Sequence, residues 1–231
     1  MNTTINKWIL FALVVATLWL SGDALAHNVS KQDAELIAGK TGVQFGLYVW
    51  LGAKHMVTGY DHLLFLVGVI FYLKSLRTIA LFVSLFALGH SITLIAGVWL
   101  GLDVNAYLVD AIIGLSVAYK GFDNLSGFDK LFGDSPDERL AVFIFGLFHG
   151  LGLATKLQDL GLAQDGLLAN LISFNLGVEL GQLFALVAIV LLLRLLPSRG
   201  EKSSMGTAVN VGLIVAGFAL MAYQIGLYLQ T

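Results

Sequence analysis

The stretch His55-Met56-Val57-Thr58-Gly59-Tyr60-Asp61-His62 runs directly into the apolar segment 63–73, Leu-Leu-Phe-Leu-Val-Gly-Val-Ile-Phe-Tyr-Leu. Two imidazoles and a carboxylate thus head a segment that reads as membrane-spanning, where an ionisable side chain is costly enough to mark a functional site. His-x5-Asp-His is also a metal-ligand set. The fold class and the chemistry both follow from how the rest of the chain accommodates it.

The surroundings are those of a polytopic membrane protein. Of 231 residues, 58% are hydrophobic and only 12% charged, with a mean hydropathy of +0.85. A soluble domain carries about twice that share of charge. A formal net charge of −2 gives no basic field for nucleic acid, and the absence of cysteine removes disulfides, thiolate metal sites and cysteine nucleophiles together. Soft-ligand chemistry is left to His and Met.

At the N-terminus, Lys7 precedes the apolar run 8–20, and Ala24-Leu25-Ala26 follows as a small-residue cleavage signature. This is the layout of a secretory signal peptide, too short for a span of roughly 20 residues. Residues 1–26 are therefore expected to be removed. His27 would then begin the mature chain, with an α-amino group and an imidazole able to chelate a metal together. Residues 27–44 form a short, polar periplasmic lead-in, and 45–231 a single transmembrane domain.

Hydropathy places six spans at about 45–73, 78–100, 104–121, 139–157, 166–196 and 207–229. The first exceeds the length needed, consistent with an amphipathic lead helix over 45–51, bent near Gly59 before the span proper. Tyr48, Trp50 and Tyr60 suit the membrane interface. With the mature N-terminus outside, the inner loops hold Lys74, Arg77, Lys120, Lys130, Arg139, Arg194, Arg199 and Lys202. The outer side keeps Lys31, Lys40, Lys54 and Lys156, and eight against four obeys the positive-inside rule.

The polar residues inside the spans carry the chemistry. The first span has His55, Asp61 and His62; the second His90, beside Ser91; the third Asp110; the fourth His149; the fifth Asn175, Glu179 and Gln182. On a continuous helix His55 and His62 share a face, with Asp61 about 100° round from His62. Asn175, Glu179 and Gln182 form one stripe at i, i+4 and i+7. Convergence on a cavity at mid-depth is expected, with His55, Asp61 and His62 near the external end of the first span and His90, His149 and Glu179 deeper. The plainer alternative is that each is an isolated hydrogen-bonder gluing helices together. Gly89, Gly146, Gly150, Gly152, Gly177 and Gly181 read as close-packing positions, Gly177-x3-Gly181 being a small-xxx-small pair.

Neutral imidazoles with one or two carboxylates suit nickel, cobalt, zinc, copper(II) or iron(II), whereas magnesium and calcium want oxygen ligands. No nucleotide-binding motif is present. A divalent ion moving inward gains about 4.6 kcal/mol per 100 mV of inside-negative potential, so a secondary permease needs none. Two other readings use the same residues. A membrane metalloenzyme or haem protein could take His90 and His149 as axial ligands, and a metal sensor or accessory protein could bind an ion without moving it.

His55-x5-Asp61-His62 at the start of the first span, with Phe148-His149-Gly150 in a later one, resembles the HupE/UreJ family of small bacterial membrane proteins, nickel permeases serving hydrogenase and urease maturation. The resemblance implies about six helices in the bacterial inner membrane, nickel as the substrate, and His55, Asp61, His62 and His149 at the functional positions. A homo-oligomer is also compatible with such a protein. The chain departs from the family's Phe-His-Gly-x-Ala/Val-x-Gly-x-Glu, which here ends in Lys156.

Overall fold

The computed structural model describes residues 31–159, 163–194 and 203–231. The expected signal peptide and His27 lie outside these residues. The described chain is helical, with no strand: α1 (Lys31–Ile37), α2 (Phe45–Thr58), α3 (Tyr60–Ile70), α4 (Leu76–Leu100), α5 (Ala106–Asn124), α6 (Gly127–Phe132), α7 (Glu138–Asp159), α8 (Leu167–Arg194) and α9 (Ser204–Tyr228).

Local chemistry sets several of the helix ends. The Asn105 side chain accepts from the Leu108 N–H to start α5, and the Ser203 side chain accepts from the Gly206 N–H to start α9. Helix α4 stops at Gly101, whose left-handed backbone (φ 63°) returns its N–H to the carbonyls of Gly97 and Val98.

Four helices, Leu76–Leu100, Glu138–Gln158, Leu167–Arg194 and Ser204–Tyr228, are long and apolar enough to cross a membrane. The protein is therefore an all-α, multi-pass membrane protein. Two of the six expected spans come out differently. Helix α5 carries Asp110, Lys120 and Asp123 within 19 residues, which lowers its apolarity. The segment expected as one bent span over 45–73 is divided at Gly59 into helices of 14 and 11 residues. At 1.5 Å per residue these reach about 21 and 16 Å, each short of a hydrocarbon core of about 30 Å. Tyr48, expected at the interface, is 4% exposed and belongs to the core. The segment between the spans expected at about 104–121 and 139–157 is partly helical, holding the end of α5 and all of α6.

Packing is dominated by three helix pairs, α5 on α9, α4 on α7 and α2 on α8. Glycines bring each pair together. A Cβ at Gly177 would meet the Val49 carbonyl, one at Gly146 the Phe86 carbonyl, and one at Gly217 the Ala118 backbone. Backbones this close gain dispersion contacts that lipid cannot supply.

The buried side chains form two apolar clusters with a polar layer between them. One cluster, towards the α6 end, includes Phe65, Leu66, Phe82, Phe86, Val142 and Leu213. The other, towards the α1 end, includes Leu51, Met56, Leu94, Leu153, Leu171 and Phe174. Helix α4 passes from Phe86 in the first to Leu94 in the second through His90. Helix α7 passes from Phe145 to Leu153 through His149. The spacing of four residues keeps each trio on one helix face.

Candidate metal centre

The break at Gly59 builds the first half of the site. Gly59 keeps its N–H on the His55 carbonyl (2.9 Å) and accepts from the Leu63 N–H (3.0 Å), so helix hydrogen bonding resumes at once. Its own backbone is extended, with φ −72° and ψ 92°. A Cβ there would lie 2.9 Å from His62 Nδ1 and 3.3 Å from Asp61 Oδ1. The missing side chain is what lets both groups fold back towards the break.

Asp61 occupies the first turn of α3, where the helix dipole favours a negative charge. Its Oδ1 accepts from the His62 backbone N–H at 2.8 Å and lies 3.0 Å from His62 Nδ1. A carboxylate on one imidazole nitrogen fixes the ring's orientation and raises the basicity of the other nitrogen, as around metal-ligating histidines generally.

Two long helices supply the second half. His62, His90 and His149 are each 1% exposed. Ring centroids lie 5.2 Å apart for His55 and His62, 5.9 Å for His62 and His90, and 4.6 Å for His62 and His149. Gly150 makes the α4–α7 approach possible, since a Cβ there would strike the His90 carbonyl and the Thr93 hydroxyl. Thr93 Oγ1 then donates to the Leu147 carbonyl at 2.6 Å, tying the two helices at this level. His149 Nε2 is 3.3 Å from Ser116 Oγ on α5, a contact not anticipated from the sequence.

Candidate ligand atoms fall into two sets, His55/His62/His90 and Asp61/His62/His149, each with all its atoms within 4.8 Å of one another. A transition-metal ion about 2.0–2.1 Å from three ligands needs them roughly 3.4 Å apart, so binding would draw the candidate atoms together. The sets share His62.

The surroundings are asymmetric. Towards the α6 end, Phe65 and Phe86 pack on His149 with centroids at 5.6 and 5.0 Å, and Phe145 backs them against Tyr119. Towards the α1 end, a cavity lined by Asp33, Ile37, Leu51, Lys54, Leu153 and Phe174 reaches His55. Two of its lining residues form an ion pair, Lys54 Nζ to Asp33 Oδ1 at 2.8 Å. Aromatic rings thus cover one side of the histidines and a polar vestibule approaches the other.

The remaining polar candidates are on α8, where only Gln182 shares a small cavity with His62. Helix α8 packs on α2 through Gly177 and Gly181, which turns Glu179 to the outer surface, where it is exposed. Asn175, partly buried, donates to Glu179 Oε1 at 3.3 Å and accepts from Ser91 Oγ at 2.9 Å. The structure does not bring Asn175 or Glu179 to the histidines. Gln182 is buried and bonds weakly to the Val83 carbonyl at 3.5 Å. Nor is the His55/Asp61/His62 motif set apart at an external end: the break carries it to the level of His90 and His149, so the expected order of an outer motif and deeper histidines gives way to one layer.

Two further buried cations find carboxylates. Lys156 Nζ is 2.9 and 2.7 Å from the two oxygens of Asp110, with side chains 7% and 9% exposed. Lys120 Nζ lies 2.6 Å from Asp123 and 2.9 Å from Glu138. Lys156 stands where the family pattern carries glutamate, and its charge is neutralised within the bundle.

No curated protein and no solved structure matches the chain. A family model described as HupE / UreJ protein matches residues 31–231, which takes in every described residue and the histidine layer; the chain belongs to the HupE/UreJ family.

Proposed function

We propose that the chain is a permease for a divalent transition-metal ion, nickel foremost, driven inward by the membrane potential, with His55, Asp61, His62, His90 and His149 as its intramembrane ion site. The observation that carries this reading is the pair of ligand sets sharing His62 at a helix break, in a polar layer between the two apolar clusters. Intramembrane ion sites on discontinuous helices are a recurring transporter device. The donor set of imidazoles and one carboxylate suits nickel, with cobalt, copper and zinc as competitors.

The α1 end faces the periplasm in this reading, as a chain exported by a signal peptide and obeying the positive-inside rule requires. Helix pair α2/α3 and helix α5 complete six crossings in the bacterial inner membrane. An ion enters past Asp33 and Lys54, meets His55, and is held first by His55/His62/His90. Rotation of His62 passes it to Asp61/His62/His149, against the aromatic seal of Phe65 and Phe86. Movement of these rings opens the way inward. A shared ligand keeps the ion partly coordinated at each step, avoiding a bare divalent charge in a low dielectric.

Haem ligation fits less well. Axial ligands stand on opposite faces of a porphyrin, whereas His90 and His149 pack on the same His62 ring.

The test is uptake into proteoliposomes with an imposed inside-negative potential, comparing nickel, cobalt, copper, zinc and manganese. Nickel should accumulate with the potential, and His62→Ala should abolish uptake. Stoichiometric binding without flux would favour a sensor or accessory protein instead, and a Soret band in the purified protein would favour haem.

A further inference from the structure

Glu179 presents a physical problem that the ion site does not solve. It is the thirteenth of 28 residues in α8, about 18 Å from Leu167 and 22 Å from Arg194, near the middle of a helix long and apolar enough to cross a membrane. It is exposed there among Ile172, Leu176, Leu180 and Leu183, exposed leucines and an isoleucine that lipid would cover readily. Ionisable residues in membrane helices almost always face the bundle interior or a water-filled cavity, because lipid tails offer a carboxyl group no hydrogen-bond donor. The long 3.3 Å bond from Asn175 is weak compensation.

We propose that the outer face of α4 and α8 is a dimer interface, on which the Ser91/Asn175/Glu179 stripe of one copy meets the same stripe of a second copy of this chain. Copies inserted in the same direction are related by a two-fold axis along the membrane normal, so identical residues lie at identical depth. Each Glu179 then faces a carboxyl and an amide at its own level. The stripe is self-complementary. A carboxamide both donates and accepts, a hydroxyl does the same, and two carboxyl groups pair through one hydrogen bond. Side chains of this kind are the usual polar glue between membrane helices. Helices α4 and α8 also pack on each other far less closely than either packs on its glycine-lined partner. This interface does not depend on what the histidine layer carries.

The native chain has no cysteine, so single cysteines report proximity directly. Leu176→Cys, on the proposed interface and 40% exposed, should form a disulfide-linked dimer when native membranes are oxidised. Val215→Cys on α9, 62% exposed on another face, should stay monomeric. Adding Glu179→Leu to Leu176→Cys should weaken self-association about tenfold, the size expected of interhelical polar contacts counted on two copies. Glu179→Gln, which keeps donor and acceptor, should retain it. Equal crosslinking at 176 and 215, crosslinking of 176 to a different protein, or unchanged dimerisation in Glu179→Leu would each overturn the proposal. The comparison of the two cysteine positions stands even if Glu179→Leu expresses poorly.

Discussion

Replacing Lys156 with Met asks whether the residue that stands in place of the family's glutamate is structural or part of transport. In the native bundle its ammonium holds both oxygens of Asp110 within 3 Å, and both side chains are almost fully enclosed between α5 and α7. Methionine keeps the length of the side chain and leaves Asp110 buried without its cation. Removing one member of a buried ion pair costs about 3–5 kcal/mol, because the remaining charge has lost its compensation but not its burial. For a chain of this size each kcal/mol lowers the melting temperature by about 2–4 °C, so Lys156→Met should melt about 6–20 °C below the native protein.

The double variant Asp110→Leu/Lys156→Met removes both charges, and apolar replacement of a buried pair is commonly neutral or stabilising. It should therefore melt close to the native protein and still take up metal, since neither residue belongs to the ligand sets. Melting is followed in detergent by intrinsic fluorescence, and uptake in vesicles. A Lys156→Met protein as stable as the native one would refute the buried-pair argument. A stable double variant with no uptake would give the pair a role in transport that its absence from the ligand sets does not predict.

His62 is shared by both ligand sets, so His62→Ala should weaken metal binding more than His55→Ala or His149→Ala, and His62→Ala/His149→Ala should bind no more weakly than His62→Ala alone; calorimetric titration checks this, and additive losses would mean that His62 is not the shared ligand. Gly59→Ala should lower metal affinity by about 10–100-fold, the usual cost of disturbing the groups that orient a ligand, because its Cβ would stand 2.9 Å from His62 Nδ1; an unchanged titration would show that the break tolerates a side chain.

Much of the site was legible because ionisable residues are conspicuous in so apolar a chain. His55, Asp61, His62, His90 and His149 stand in or beside long apolar runs, and the structure gathers all five into one layer. Asn175 and Glu179 were read onto the same site from a stripe at i, i+4 and i+7. A stripe shows which residues share a face, but not where the face points. The direction was nevertheless encoded nearby: Glu179 lies two residues from both Gly177 and Gly181, about 200° round the helix from each. If the glycines face α2, Glu179 must face away. The Asp110 and Lys156 pairing was not legible, since 46 residues separate the partners and only the α5/α7 contact joins them. Topology was more robust. Lys120 and Lys156 turn out to be buried and paired, and setting them aside changes the inner and outer count to seven against three, with the same sign.

The break at Gly59 also explains why this ligand motif can work at mid-depth at all. In an unbroken helix over 45–73, His55 and His62 would share a face while Asp61 pointed about 100° away, towards a neighbouring helix or lipid. Ending α2 at Thr58 and restarting at Tyr60 bends the chain so that Asp61 reaches His62 Nδ1 while the His62 ring packs against His55, His90 and His149. The same break places two helix ends in the polar layer. The carbonyl end of α2, beside His55, favours a cation, and the amide end of α3 favours the Asp61 carboxylate. Regular helix would have satisfied every backbone group internally and offered the ion nothing. In the proposed ion site one glycine thus lets the candidate ligands converge, puts Asp61 at the amide end of a helix, and would give an arriving cation a favourable dipole.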